Sequence, residues 1–166
     1  MTTLLSRFRG NGVAAFALAG LSILLLIAAL APVLPIADPL DHDPYNTLAA
    51  PSAEHLLGND NQGRDLLSRS IHGARVSLLV SVVSIVAAMI LGTIFGVLAG
   101  YWRGWTEIVI MRVADSLMAF PALILGIAVM AILGSGIDKV ILCLAIVMTP
   151  RFTRIAYGAT MTVRPR

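Results

Sequence analysis

The chain has 166 residues, 58% of them hydrophobic and only 13% charged, with a mean hydropathy of +0.88. A soluble domain is closer to half apolar and a quarter charged, and the apolar residues here fall in long uncharged runs that a soluble core does not require. The formal charge of +3 comes from cations spread along the ends of those runs, which excludes a nucleic-acid surface, and the single cysteine, Cys143, excludes an internal disulfide framework.

The composition points to an all-α, polytopic membrane helical bundle. A helix needs about 20 apolar residues to cross a hydrocarbon core of about 30 Å, and four transmembrane helices are predicted. Residues 1–12, with Arg7 and Arg9, form an N-terminal segment before the first span at 13–34. Ala29-Leu30-Ala31 has the form of a signal-peptidase site, but the apolar run is longer than an h-region and Pro32 would follow the cut, so the span is read as retained. Residues 35–75 form a loop. The second span runs uncharged from Val76 to Trp102. The third begins near Thr106 and continues to Ile137, with Phe120-Pro121 expected to kink it because proline lacks a backbone donor. The fourth starts near Ile137 and carries Arg151 and Arg154 towards its far end, both read as snorkelling to the interface.

Orientation follows from the cations. With the N-terminus inside, Arg7, Arg9, Arg103, Arg112, Arg151, Arg154, Arg164 and Arg166 are inside, and Arg64, Arg69, Arg75 and Lys139 outside. Residues 35–63 contain no Lys or Arg. Both termini are therefore expected in the cytoplasm, with the 35–75 loop external.

Within that loop the stretch "GNDNQGRD" (58–65) has the two-glycine spacing of a phosphate-binding P-loop. A P-loop needs a lysine for the terminal phosphates and a hydroxyl for magnesium. Arg64 and Asp65 stand in those places, no apolar strand precedes Gly58, and the loop is expected outside, so no nucleotide site is predicted. The stretch reads instead as a helix entry, capped by Asn59 with Gln62 at capping-box spacing, or by Asp60 or Asn61. Leu67, Ile71 and Ala74 then recur at helical spacing, which fits a short interfacial helix or an N-terminal extension of the second span.

Two features inside the spans invite a role. Ala88, Gly92, Gly96 and Gly100 form a stripe of small residues suited to close helix packing in lipid, with Gly126 a candidate for the opposing surface. Asp115 lies about 13 Å along the third helix at 1.5 Å per residue, where a carboxylate is costly unless paired or wet. Arg112, at i,i+3 on the same face, is its expected partner. His42, His55 and His72 all lie outside the spans, and the chain has no H-E-x-x-H or G-x-S-x-G motif, so no catalytic, cofactor or metal site is predicted. Asp38, Asp41 and Asp43 read as a solvated acidic loop.

The stretch "HLLGNDNQGRDLLSRSIHGARVSLLV" resembles the segment that introduces the core of permease subunits in peptide and nickel ABC importers. Gly58, Asp60, Gly63, Arg64, Asp65, Ser68 and Arg69 match its signature, with His55, Leu57, Gly73, Arg75, Ser77 and Leu78. Asn59 departs, where threonine is usual. "GVLAGYWRGWTEIVIMRVADSLMAFP" (96–121) and "TPRFTRIAYGATMTVRPR" (149–166) resemble later parts of the same family in order. The resemblance implies a type I importer permease fold, with residues 76–166 the N-terminal part of the permease core. In the family a loop that docks on the ATPase follows this point, then two further spans, so the sequence reads as an N-terminal fragment. The resemblance also implies a non-enzymatic transport role in the inner membrane, for peptides or, alternatively, nickel. The implied partners are a second permease, two ATPase subunits that use the ATP, and an extracytoplasmic solute-binding protein. A small four-helix channel or assembly protein is the competing reading. An intramembrane hydrolase lacks a base at membrane depth.

Overall fold

A computed structural model describes residues 12–163; the segment before them, with Arg7 and Arg9, and the terminal Arg164 and Arg166 lie outside the described residues. Most of those described are helical, with α1 at Gly12–Leu30, α2 at Leu66–Trp102, α3 at Trp105–Ala119, α4 at Ala122–Leu133 and α5 at Ile137–Val163. Short 3₁₀ turns occupy Ala31–Val33 and Pro44–Asn46. Compact packing divides the chain into two units, between Leu78 and Leu79.

In the first unit, α1 is an uncharged 19-residue helix, about 28 Å long at 1.5 Å per residue. Nearly all its side chains are exposed, as expected of a helix whose solvent is lipid. The loop that follows is ordered by turns, and it ends where Asp65 caps α2. No separate interfacial helix forms, because Leu66 to Arg75 are the first turns of α2 itself, which runs unbroken for 37 residues. The capping expectation is corrected too. The Asp65 carboxylate accepts from the Ser68 N–H at 2.7 Å, whereas Asn59 and Gln62 are occupied within the preceding turn.

In the second unit, the third span is not one helix. Phe120 is extended (φ −85°, ψ 138°) and Pro121 follows it, so α3 and α4 meet at a bend of 100°. Steric conflict with the proline ring drives the preceding residue out of the helical region, and here the helix breaks. Pro150 has the opposite outcome: it is buried inside α5, which continues through it. Within lipid a neighbouring helix makes such a site tolerable; the Thr149 and Thr153 hydroxyls beside it donate to the carbonyls of Ala145 and Thr149 at 2.7 and 3.0 Å, not to the Ile146 carbonyl that loses its donor. Three helices are long and apolar enough to cross a membrane, and the bent pair α3–α4 makes a fourth if counted as one span.

The helices of this unit pack through their small residues. A Cβ on Gly92 would lie 2.8 Å from the Thr149 carbonyl oxygen and 2.9 Å from the Thr153 nitrogen, and one on Gly100 would lie 2.8 Å from the Thr160 side chain. Ala88 is fully buried. The stripe on α2 therefore lies against α5, and Gly126 is not its counterpart. Gly126 is on α4, where its carbonyl accepts from Cys143 Sγ of α5 at 3.4 Å.

Candidate functional site

The signature loop is built around Asp60. Its carboxylate accepts from the Gln62 and Arg64 N–H groups at 2.8 and 3.0 Å, and from Arg64 Nε at 2.9 Å. Arg64 Nη2 lies at 2.8 Å and Arg69 Nε at 3.5 Å. Four more N–H groups of the turn are also spent: Gly58 donates to His55, Asn59 to Ala49, Asp60 to Arg64 and Gly63 to Asp60 through backbone carbonyls. A phosphate loop offers such N–H groups to its ligand; here Asp60 occupies the equivalent concavity. Gly58 and Gly63 adopt φ of 72° and 74°, which glycine reaches without a steric penalty.

A second set of contacts joins this loop to α2. Asp65 caps Ser68 and also meets His55 Nδ1 at 2.9 Å, and the Ser68 hydroxyl donates to the Ala37 carbonyl. Asn59 is buried and donates to the Gly63 carbonyl at 2.8 Å, while its Oδ1 has no partner. Six of the seven signature residues, Gly58, Asp60, Gly63, Arg64, Asp65 and Ser68, thus act directly on the conformation of the loop, and Arg69 adds charge beside Asp60.

Burial acts to raise the Asp60 carboxyl. The Arg64 side-chain hydrogen bond, the N–H groups of Arg64 and Gln62 and the Arg64 charge outweigh it and bring the pKa from 3.8 down to about 2. Asp65 is also lowered: burial opposes the shift, but the Ser68 N–H and the His55 contact prevail. For acids depressed in the folded state, the associated stability is complete above the unfolded pKa and is lost as pH falls through the folded one. Amide protection at Gln62, Gly63 and Arg64, corrected for intrinsic exchange, should therefore hold at pH values above about 4 and fall towards pH 2. Asp60→Asn should remove most of that step and lower protection already at neutral pH. Unchanged protection across the range in the parent chain would contradict the assignment.

Asp138 and Lys139 pair at the start of α5, and further charges of the second unit lie along the seam between α3 and α5, which run antiparallel. Glu107 accepts from the Tyr157 hydroxyl, Asp115 pairs with Arg154, and Arg103, just before α3, reaches Met161 Sδ at 3.7 Å. The expected Arg112–Asp115 pair is corrected here. The antiparallel register brings a guanidinium from α5 onto Asp115, so Arg154 does not snorkel freely. Beside this seam an apolar cavity of about 330 Å³ is lined by residues that include Leu91, Phe95, Val113, Ile146 and Thr153.

No protein-family model matches the chain. Individual proteins do. The glutathione transport system permease protein of Pectobacterium atrosepticum is 43% identical over 149 residues, 88% of this chain and 50% of the relative. The dipeptide transport system permease protein of Alkalihalophilus pseudofirmus is 39% identical over 151 residues, 89% and 50% of the two chains. The di/tripeptide transport system permease protein of Pseudomonas aeruginosa is 41% identical over 155 residues, 88% and 51%. The chain is a homologue of transport-system permeases. It spans about half the length of the curated relatives it matches.

For this permease homologue, the residues that local reasoning missed are those whose partners are distant in sequence. His55 with Asp65, Glu107 with Tyr157 and Asp115 with Arg154 are separated by 10, 50 and 39 positions. The first carried a legible signal, since both residues belong to the matched signature. The other two depend on how α3 lies on α5.

Proposed function

We propose that the chain is part of a permease subunit of an ABC importer that takes up peptides, glutathione-like compounds included, across the cytoplasmic membrane. The observation that carries this reading is identity of 39–43% over some nine-tenths of the chain to permeases named for dipeptide, di/tripeptide and glutathione transport. Ordered helices of spanning length, with ion pairs of the second unit at the α3–α5 seam and the start of α5, suit a conduit rather than a catalyst. The subunit has no cofactor of its own. Its partners are a second permease, two ATPase subunits that use the ATP and an extracytoplasmic solute-binding protein, and both ends of the present chain face the cytoplasm, as the cation distribution indicates.

The test is deletion of the coding sequence for residues 66–163 in the native host, followed by uptake of a radiolabelled dipeptide and of nickel ions. Dipeptide uptake should fall to the level of a strain lacking the transporter and return on complementation, with nickel uptake unchanged. Loss of nickel uptake alone would replace peptide by metal as the solute, and loss of neither would sink the importer reading.

A further inference from the structure

The Asp115–Arg154 pair has a surface that no described residue covers: the two side chains remain 50% and 53% exposed. Its depth is set by α3. Tyr101, Trp102 and Trp105, all largely exposed, form an aromatic group of the kind that sits at a membrane interface. Asp115 lies ten residues beyond Trp105, at most about 15 Å further along the helix axis. Its partner Arg154 lies 17 residues beyond Ile137, about 25 Å along α5, so the pair sits inside a hydrocarbon core of about 30 Å in the half nearer Trp105. Arg154 is tied to Asp115 and cannot carry its charge to the interface alone. Charges at such depth face protein or water rather than lipid. The rest of the seam adds to the field. Arg112 on α3 and Arg151 on α5 are exposed, each three positions from one member of the pair, and neither has an acid within ion-pair distance among the described residues. Around the pair three guanidiniums accompany one carboxylate, and the seam's other acid, Glu107, lies about two turns away and accepts from the Tyr157 hydroxyl.

Resting on the importer reading, we propose that this side of the α3–α5 seam lines the hydrated solute path inside the membrane, in the half nearer Trp105. Its net positive potential receives the carboxylate group of a solute, as the C-terminus of a peptide would supply. Asp115 holds Arg154 in place and keeps the cluster from being a bare run of cations. A path with this field favours anions over cations of the same size, because opposite charges attract strongly where solvent screening is reduced.

Ala119 tests this without disturbing a charge. It is four residues from Asp115, on the same helix face, and is exposed. In a Cys143→Ala background, with the assembled transporter in native membranes, Ala119→Cys is treated with small anionic or cationic methanethiosulfonates. Met118→Cys serves as a second probe position in case Ala119→Cys does not assemble. Ser52→Cys, in the long loop, gives the reference ratio of the two rates. Because thiolate is the reacting species, a cysteine in lipid or against protein stays silent, whereas one in the path reacts. The expected result is reaction at Ala119→Cys with an anion-to-cation rate ratio several-fold above that at Ser52→Cys, and reduction of that excess by Arg112→Gln with Arg151→Gln. Silence at both probe positions, or a ratio equal to the reference, overturns the proposal. Labelling does not depend on which solute is carried, so a failure of peptide uptake with positive labelling would count against the importer reading and not against the hydrated seam.

Discussion

Replacing Gly96 by leucine should prevent the second unit from reaching its folded packing, while Gly73→Ala should leave it intact. A Cβ on Gly96 would lie 2.6 Å from the Ala156 Cβ and 2.8 Å from the Tyr157 nitrogen. Neither is the end of a flexible side chain that can swing aside, so α2 and α5 must separate. Overpacking of a close contact costs typically about 1–3 kcal/mol, and the larger leucine side chain raises the burden beyond that of a methyl group. Such a loss is a large fraction of a total stability of about 5–15 kcal/mol. Separation also sacrifices the close approach by which small residues bring helices together in lipid. At Gly73 a Cβ meets nothing within 4 Å, and alanine is favoured over glycine in a helix by up to about 1 kcal/mol. Thermal unfolding in mild detergent separates the two cases. A midpoint for Gly96→Leu equal to that of the parent would show that the stripe is not a packing surface.

The same contact shows where reading by local pattern stops. The four-residue spacing from Ala88 to Gly100 identifies a close-packing face, because helical periodicity is a property of one segment. The helix that meets it is set by tertiary packing, and only the structure brings Thr149, Thr153 and Thr160 of α5 against it. Proline gives a parallel lesson. Pro121 and Pro150 both follow apolar helical sequence, yet one ends α3 in an extended Phe120 and the other is carried through α5. The proline ring sets a local cost in both cases, and the surrounding packing decides whether the helix continues. Charges follow the same rule. Arg112 lies within helical reach of Asp115 and is the natural partner in an isolated helix, but the register of α3 on α5 presents Arg154 instead. The uncharged runs at 13–34 and 76–102 were legible because burial in lipid constrains every position of a span, and no distant partner has to be known.

Gly63→Ala should open the signature loop with almost as large an effect as the change at Gly96, and by different physics. Gly63 has φ of 74°, a region that costs an L-residue roughly 1–2 kcal/mol. A Cβ there would also overlap the Asp43 carbonyl. That carbonyl accepts from the Asn46 N–H at 3.1 Å, and the Asp43 side chain accepts from the Tyr45 N–H at 3.0 Å, so moving Asp43 away breaks the 3₁₀ turn at Pro44–Asn46. Strain and overlap together amount to roughly 2–5 kcal/mol. Gly63 also supplies the carbonyl to which buried Asn59 donates, so its displacement leaves a second polar atom of that residue without a partner, beside the unpaired Oδ1. Limited proteolysis at neutral pH should therefore cut Gly63→Ala between residues 35 and 65 at least tenfold faster than the parent, the factor that about 1.4 kcal/mol produces when cleavage follows opening. The spans should still insert, since each helix satisfies its own backbone hydrogen bonds in lipid. Equal cleavage rates would mean that the loop tolerates a side chain at Gly63, and that the contacts around Asp60 do not hold it in the conformation described.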